Sequence, residues 1–364
     1  MISLNLGPRI AVDQGMESKT PRQTLPKSFV GFLCLWTCVL NVGCGQATFQ
    51  EVGPDAEDRA KPLLLEEEQF VQDRDTTAID VLFVVDNSGS MADEHALVAS
   101  KFSAFSSALS GLNWQIGLTT TDTNSNGARG SLLTLAGRSD RILTLRTPDY
   151  DRIFSNTIRR PESIECSLTG RLCPSGAERP LLASVLAMQK AVGSNASFFR
   201  PKTDLALVIL TDEDEDQSGR PEDFALSQDV LAVFAGTFLR THSLTAHSIT
   251  VRPGDVACYN AQAAQASGTA RYATAVNELV ETTGGQAASI CDSDYSSVLN
   301  KIGRSIREQV SSFQLRFKPS RNTTSVVIEP AQAITWRIEG NRLILSRVPD
   351  QGTRLKVRYS RRGE

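Results

Sequence analysis

The residues best placed to do chemistry are Asp86, Ser88 and Ser90, in the run Ala78-Ile-Asp-Val-Leu-Phe-Val-Val-Asp86-Asn-Ser88-Gly-Ser90-Met91. One carboxylate and two hydroxyls at alternate positions offer hard oxygen ligands, the kind that suits Mg²⁺, Mn²⁺ or Ca²⁺. A second acid closes another apolar run, Asp204-Leu-Ala-Leu-Val-Ile-Leu-Thr211-Asp212. The same residue types have a plainer use, because Asp and Ser commonly open helices with no metal nearby.

These side chains need elements to hold them. Val81 to Val85 is a short, β-branched run, as expected of a strand buried on both faces. Behind the serines, Val98, Phe102, Phe105 and Leu109 mark one face of a helix that ends at Gly111. Trp114 to Thr119 reads as a second strand running into the polar cluster Thr120-Thr121-Asp122. Leu132–Ala136 and Ile142–Leu145 suggest an edge hairpin, and 146–177 reads as irregular. Pro180 opens a helix with Leu181, Val185, Met188 and Val192 on one face. After Asp212 come a helix from about Pro221 to Gly236, a strand at His247–Val251 and a helix carrying Tyr272, Val276 and Leu279. The strand Ala287–Ile290 and a helix capped by Asp292-Ser-Asp294, with Leu299, Ile302, Ile306 and Val310, complete the series. Strands alternating with helices predict an α/β fold with a doubly wound, mostly parallel sheet. Ligands in such a sheet bind beyond the carboxyl ends of the strands, where Asp86 and Asp212 both fall.

Asp86-Asn-Ser88-Gly-Ser90 between strand and helix resembles the metal-ion-dependent adhesion site of von Willebrand factor type A domains. The resemblance covers about residues 78–310 and implies the Rossmann-like fold of that family. It implies that Ser88 and Ser90 bind a Mg²⁺ (or Mn²⁺ or Ca²⁺) directly and that Asp86 and Asp212 do so directly or through water. A position left open on the cation would then take a carboxylate of a protein partner. The third loop departs from the pattern. Such sites usually place a Thr there, whereas this chain has Ser175-Gly176-Ala177-Glu178. Glu178 is either the replacement ligand or a complement to the dipole of the helix that follows; Thr120 or Thr121 could also reach the cluster. The run Asp212-Glu213-Asp214-Glu215-Asp216 suggests a solvated acidic loop, with a second cation as the other reading.

The chain ends carry different signals. Residues 1–45 read as a targeting segment: Lys19, Arg22 and Lys27 precede an apolar run, Phe29 to Gly43, too short to span a membrane. Its end, Val42-Gly43-Cys44, resembles a bacterial lipoprotein signal, with Cys44 as the lipidated residue, although Asn41 stands where Leu is usual. Ordinary secretion is the alternative, and Met16 is a possible start. Residues 46–77 are acidic and without apolar periodicity, and read as a solvated tether. Residues 311–364 change to period-two alternation, predicting a small antiparallel β appendage of four or five strands. Cys166, Cys173, Cys258 and Cys291 remain after the leader, an even number that suits two disulfides in an exported domain. Cys166 with Cys173 and Cys258 with Cys291 is the favoured pairing of three, with a Cys₄ zinc site as the other use of these residues.

A net charge of −3 argues against general nucleic-acid affinity. The three histidines, His95, His242 and His247, lack zinc spacing, and no G-x-S-x-G elbow or phosphate loop is present. The expectation is a non-enzymatic, cell-envelope-anchored or secreted module that binds a protein through a divalent cation. A metal-assisted hydrolase and a structural protein whose cation only braces its loops are the alternatives.

Overall fold

The computed structural model describes residues 62–72, 78–171, 173–238, 243–264 and 270–363. The leader, Cys44 and the start of the acidic segment lie outside them. In chain order the elements are β1 (Leu63–Val71), β2 (Ala78–Val85), a 3₁₀ turn at Gly89–Met91, α1 (Ala92–Ala108), β3 (Asn113–Thr120), β4 (Leu143–Thr144), α2 (Tyr150–Ile158), α3 (Pro161–Thr169), α4 (Pro180–Gln189) and β5 (Asp204–Leu210). Then follow α5 (Ser227–Thr237), β6 (Leu244–Thr250), α6 (Val256–Ala263), α7 (Thr274–Thr283), β7 (Ala287–Ser289), α8 (Tyr295–Val310), β8 (Ser312–Gln314), β9 (Ser325–Glu329), β10 (Trp336–Glu339), β11 (Arg342–Leu345) and β12 (Arg354–Arg362).

The central sheet has six strands in the order β4-β3-β2-β5-β6-β7, parallel except for the edge strand β4. This is the doubly wound α/β arrangement expected. The chain winds outward from β2 through β3 to β4, then returns to lay β5 on the other side of β2. The switch point therefore falls between β2 and β5. Alternation along the strands divides the core. Ile79, Val81, Phe83 and Val85 face α1, α2 and α8 through Phe102, Phe105, Phe154, Leu299 and Ile302. Leu82 and Val84 face the other layer, with Leu181, Met188, Val230, Val276 and Leu279. A fully buried side chain of this size contributes on the order of 1.5–3 kcal/mol, and every residue of the two central strands β2 and β5 is buried.

Several expectations are corrected. The span 146–177 is not irregular: α2 and α3 lie in it, the latter opened by Pro161 and closed by Gly170 at φ 65°. Leu132–Ala136 is not a strand; only Leu143–Thr144 joins the sheet there. The helix after Asp212 begins at Ser227 rather than near Pro221. Val192 lies beyond α4 and is 92% exposed.

The tether reading fails for Leu63–Val71. That segment is β1 and pairs antiparallel with β12 over nine residues. Two three-stranded sheets, β1-β12-β9 and β10-β11-β8, enclose a core of Leu315, Leu343, Leu345, Leu355, Val357 and Tyr359. The β appendage thus holds one strand from the amino-terminal side of the α/β layer. The Arg337 guanidinium pairs with Glu308 of α8 at 2.7 Å, and Leu345 N–H donates to Ser311 O at 3.0 Å.

Both disulfides form in the favoured pairing, Cys166–Cys173 and Cys258–Cys291. That excludes the Cys₄ zinc reading, since a disulfide sulfur is no thiolate ligand.

Candidate metal centre

Three strand tips lie side by side. Val85 is in register with Thr120 of β3 and Leu210 of β5. The next residue on each strand continues the ladder: Asp86 N–H donates to Leu210 O at 2.9 Å and Thr121 N–H to Val85 O at 3.1 Å. Asp86, Thr121 and Thr211-Asp212 therefore stand together at the carboxyl end of the sheet.

Asp86 is fully buried and its carboxylate is held on both sides. Oδ1 accepts from Ser88 N–H at 2.8 Å, and Oδ2 accepts from the Thr211 hydroxyl at 2.7 Å. The Ser88 and Ser90 hydroxyls lie 2.9 Å apart, and Ser90 also hydrogen-bonds the Asp212 carboxylate. Asp212 Oδ1 is buried with no partner. Glu178 arrives through a single antiparallel bridge with Asp122 and is 1% exposed. Thr121 donates its hydroxyl to one Glu178 oxygen, and the other, Oε1, is buried and unpartnered. The Thr120 hydroxyl is likewise buried and unpartnered.

Burial raises the pKa of all three carboxyls. Asp212 is pushed up to about 7 by burial and then by the Asp86 charge. Glu178 is raised well above the usual range by burial, then by Asp86, with Glu213 and Asp122 adding to it. Asp86 is raised by burial against the bonds from Ser88 and Thr211. Burial is the largest cause for each carboxyl, and a negative neighbour adds to it in every case.

The structure thus brings together Asp86, Ser88, Ser90, Asp212 and Glu178. Among the described residues no three His, Cys, Asp or Glu side chains form a metal-holding cluster by themselves. The hydroxyls of Ser88 and Ser90 complete a mixed oxygen set, which suits a hard divalent ion and leaves room for water. The two orphaned carboxylate oxygens are the feature that such an ion would satisfy.

Residues that sequence reasoning passed over support this corner. His95 Nε2 donates to Asp86 O at 2.7 Å beneath the turn. A carbonyl can only accept, so Nε2 carries the proton; burial pushes the pKa to about 4 and keeps the ring neutral. Thr211 orients Asp86, and Ser163 of α3 donates its hydroxyl to Asn87 O at 2.7 Å. Only α3 had a sequence signal, the Pro161-to-Gly170 punctuation.

The acidic run after Asp212 is not a solvated loop. Glu213, Glu215 and Asp216 are buried. Glu215 accepts from Leu181 N–H at 2.7 Å, at the start of α4, and from Ala225 N–H at 2.9 Å. Asp214 accepts from Ala275 N–H at 2.9 Å, at the start of α7. Asp216 lies 3.6 Å from Arg179 and 3.8 Å from Arg271, and Glu213 lies 3.4 Å from Arg271. Each carboxylate locks the loop to a helix start or an arginine.

Beside the site a cleft of about 790 Å³ is lined by Asn87, Thr120, Asp122, Leu133, Arg160 and Pro174, among others.

No protein-family model matches the sequence, and no curated protein does. Among solved structures, a von Willebrand factor type A protein from Catenulispora acidiphila is 11% identical, with a TM-score of 0.35 over 84% of this chain and 66% of that one. The pilus adhesin SpaC from Lactobacillus rhamnosus GG is 11% identical at a TM-score of 0.31, over 83% of this chain and 41% of that one. Manganese-loaded TRAP protein from Plasmodium vivax is 12% identical at 0.31, over 78% of this chain and 97% of that one. This chain spans less than half of the pilus adhesin. The fold class is carried by the strand order of this chain itself.

Proposed function

We propose that this chain is an exported binding module that grips a protein partner through a divalent cation, Mg²⁺ first, with Mn²⁺ and Ca²⁺ as the other hard ions of suitable size. Ser88 and Ser90 would hold it through hydroxyls, and Asp86, Asp212 and Glu178 through carboxylates or intervening water. Bound there, the cation offers an electrophilic point that a partner carboxylate can occupy. The observation that carries this reading is the pair of buried, unpartnered oxygens, Glu178 Oε1 and Asp212 Oδ1, beside Asp86. Uncompensated buried carboxylates are costly, and a cation is what would offset them. Glu178 in place of a Thr adds negative charge, which weakens the pull on an acidic partner relative to a neutral third ligand.

A binding role is favoured over a metal-assisted hydrolase because His95, the histidine next to the motif, is neutral and occupied with the Asp86 carbonyl. Two disulfides suit an oxidising compartment. Among the described residues no helix is long and apolar enough to cross a membrane. Attachment to the cell envelope is assigned to a lipid on Cys44, testable by loss of radiolabelled palmitate from a Cys44→Ala variant.

The test is capture of partners from cell-envelope extract with and without chelator. Wild type with Mg²⁺ is expected to retain a partner that EDTA releases and that Ser88→Ala and Asp212→Ala fail to hold. If chelation lowers the melting temperature but no partner depends on the cation, the bracing role replaces this one.

A further inference from the structure

The Cys166–Cys173 disulfide joins α3 to the segment that leads to Glu178. On one side, α3 lies directly on the Asp86–Ser90 turn. Ser163 donates to Asn87 O at 2.7 Å, and Asn87 Nδ2 donates to Glu162 Oε1 at 3.3 Å. A Cβ added to Gly89 would lie 2.9 Å from Cys166 Sγ and 3.2 Å from Ser167 N, so turn and disulfide are in contact with no slack. On the other side, Cys173 begins the segment that delivers Glu178. Between 173 and 177, among the described residues, one hydrogen bond reaches the rest of the molecule, Ser175 N–H to Asp122 Oδ2 at 3.4 Å. Glu178 itself is held by Asp216 N–H, which donates to its carbonyl at 2.7 Å, and by its bridge to Asp122, so the disulfide is the covalent tie on the 173–177 approach rather than on Glu178. Cys173 is exposed and Cys166 partly so, which leaves the bond open to thiol reagents.

We propose that the Cys166–Cys173 disulfide is a positioning element of the cation site, setting the Ser88–Ser90 turn against the Glu178 loop, so that cation affinity depends on its oxidation state. This rests on the cation reading above. A dithiol reductant passes two electrons and two protons to the S–S bond, yielding two cysteine thiols and the cyclic disulfide of the reagent. α3, which packs on the turn, then loses its covalent cross-link to the Glu178 loop, while β2 and β5 keep their register. A chain held under reducing conditions would bind the ion weakly, and one exported and oxidised would bind it fully.

The experiment is Mn²⁺ titration followed by electron paramagnetic resonance, on wild type, Cys166→Ser/Cys173→Ser and Cys258→Ser/Cys291→Ser. The second disulfide ties α6 to the end of β7 and touches neither loop, so its loss is the stability control. Affinity is expected to fall roughly tenfold or more in the first double variant and to stay within about twofold in the second, the scale on which outer contacts tune a metal site. Near-ultraviolet circular dichroism below the melting temperature checks that each variant is folded. If Cys166→Ser/Cys173→Ser does not fold, dithiothreitol reduction of Cys258→Ser/Cys291→Ser gives the same comparison within one protein. Unchanged affinity on loss of the Cys166–Cys173 bond overturns the proposal, as does an equal loss in both double variants. Wild type that takes up no Mn²⁺ overturns the cation reading itself, and this proposal with it.

Discussion

Asp86, Asp212 and Glu178 crowd one buried corner, and carboxylates so placed resist ionising together. Protons and a cation therefore compete for the same oxygens. Mg²⁺ affinity is expected to rise from pH 5 to pH 8, through the value of about 7 to which Asp212 is pushed. Calorimetry in buffers of different ionisation enthalpy should show proton release on binding. The apoprotein runs the other way. A carboxyl whose folded pKa is raised stabilises fully below its ordinary value of 3.8, and that contribution is lost as pH rises through about 7. With EDTA the melting temperature should fall between pH 5 and pH 8, and saturating Mg²⁺ should remove the fall; a flat profile with EDTA would contradict the shared-corner geometry. Asp86, Ser88, Ser90 and Asp212 were legible because each follows a strand that its apolar run makes obvious. Glu178 was reachable only through the resemblance, since nothing local distinguishes it from an acid at a helix start. His95, Thr211 and Ser163 were illegible because they act on a backbone carbonyl or on another side chain across the fold, contacts that leave no spacing in the chain.

At the scale of elements, the contact of α1 with α8 depends on a missing side chain. A Cβ at Gly303 of α8 would lie 2.6 Å from the Ala108 Cβ and 3.1 Å from Phe105 O, both on α1. Arg307, one turn on, donates to Ala108 O at 2.9 Å through Nε and closes the end of α1. Gly303→Val is expected to destabilise by about 1–3 kcal/mol or more, the cost of overpacking a tight contact. Urea titration reads it. No change would mean that the two helices are free to separate. The periodicity of α8 announced its buried face, with Leu299, Ile302 and Ile306 all interior, but it could not say that Gly303 was a contact point. Conversely β1 was missed because Leu63-Leu-Leu-Glu-Glu-Glu-Gln-Phe-Val has no apolar–polar alternation. Its acids find their partners on β12, nearly three hundred residues away: Glu67 with Arg358 at 2.6 Å and Lys356 at 2.9 Å, and Glu66 with Arg361 at 2.7 Å. A run of like charge looks solvated until the opposite run is known to lie beside it.

At the scale of the molecule, that pairing means that the α/β layer is inserted between β1 and the rest of the β appendage. Phe70 of β1 packs on the core of Leu355, Val357 and Tyr359, with its ring 5.3 Å from that of Phe313. The Tyr359 hydroxyl and Arg316 N–H both donate to Glu68. Five strands without β1 would leave β12 as a bare edge over a small core, a fragment too small to stand alone. A chain beginning at residue 78 is therefore expected to lose the cooperative folding of 312–363, seen as early tryptic cleavage among the basic residues of β12. The six-stranded sheet and its corner of carboxylates do not include β1, so Mn²⁺ affinity should stay within about twofold of wild type, as additivity predicts for well-separated features. The ion pairs supply a graded version of the same test. Hydrogen bonds from Lys356 and Arg358 hold the exposed Glu67 carboxyl down to about 2. Reversing its charge with Glu67→Lys places like charges opposite Arg358 and Lys356, and resistance of β12 to trypsin should fall and partly recover in high salt, because exposed charges are screened. A truncated chain whose β12 resists trypsin as well as wild type would show that β1 merely lies against the sandwich, and the strand would then revert to a tether.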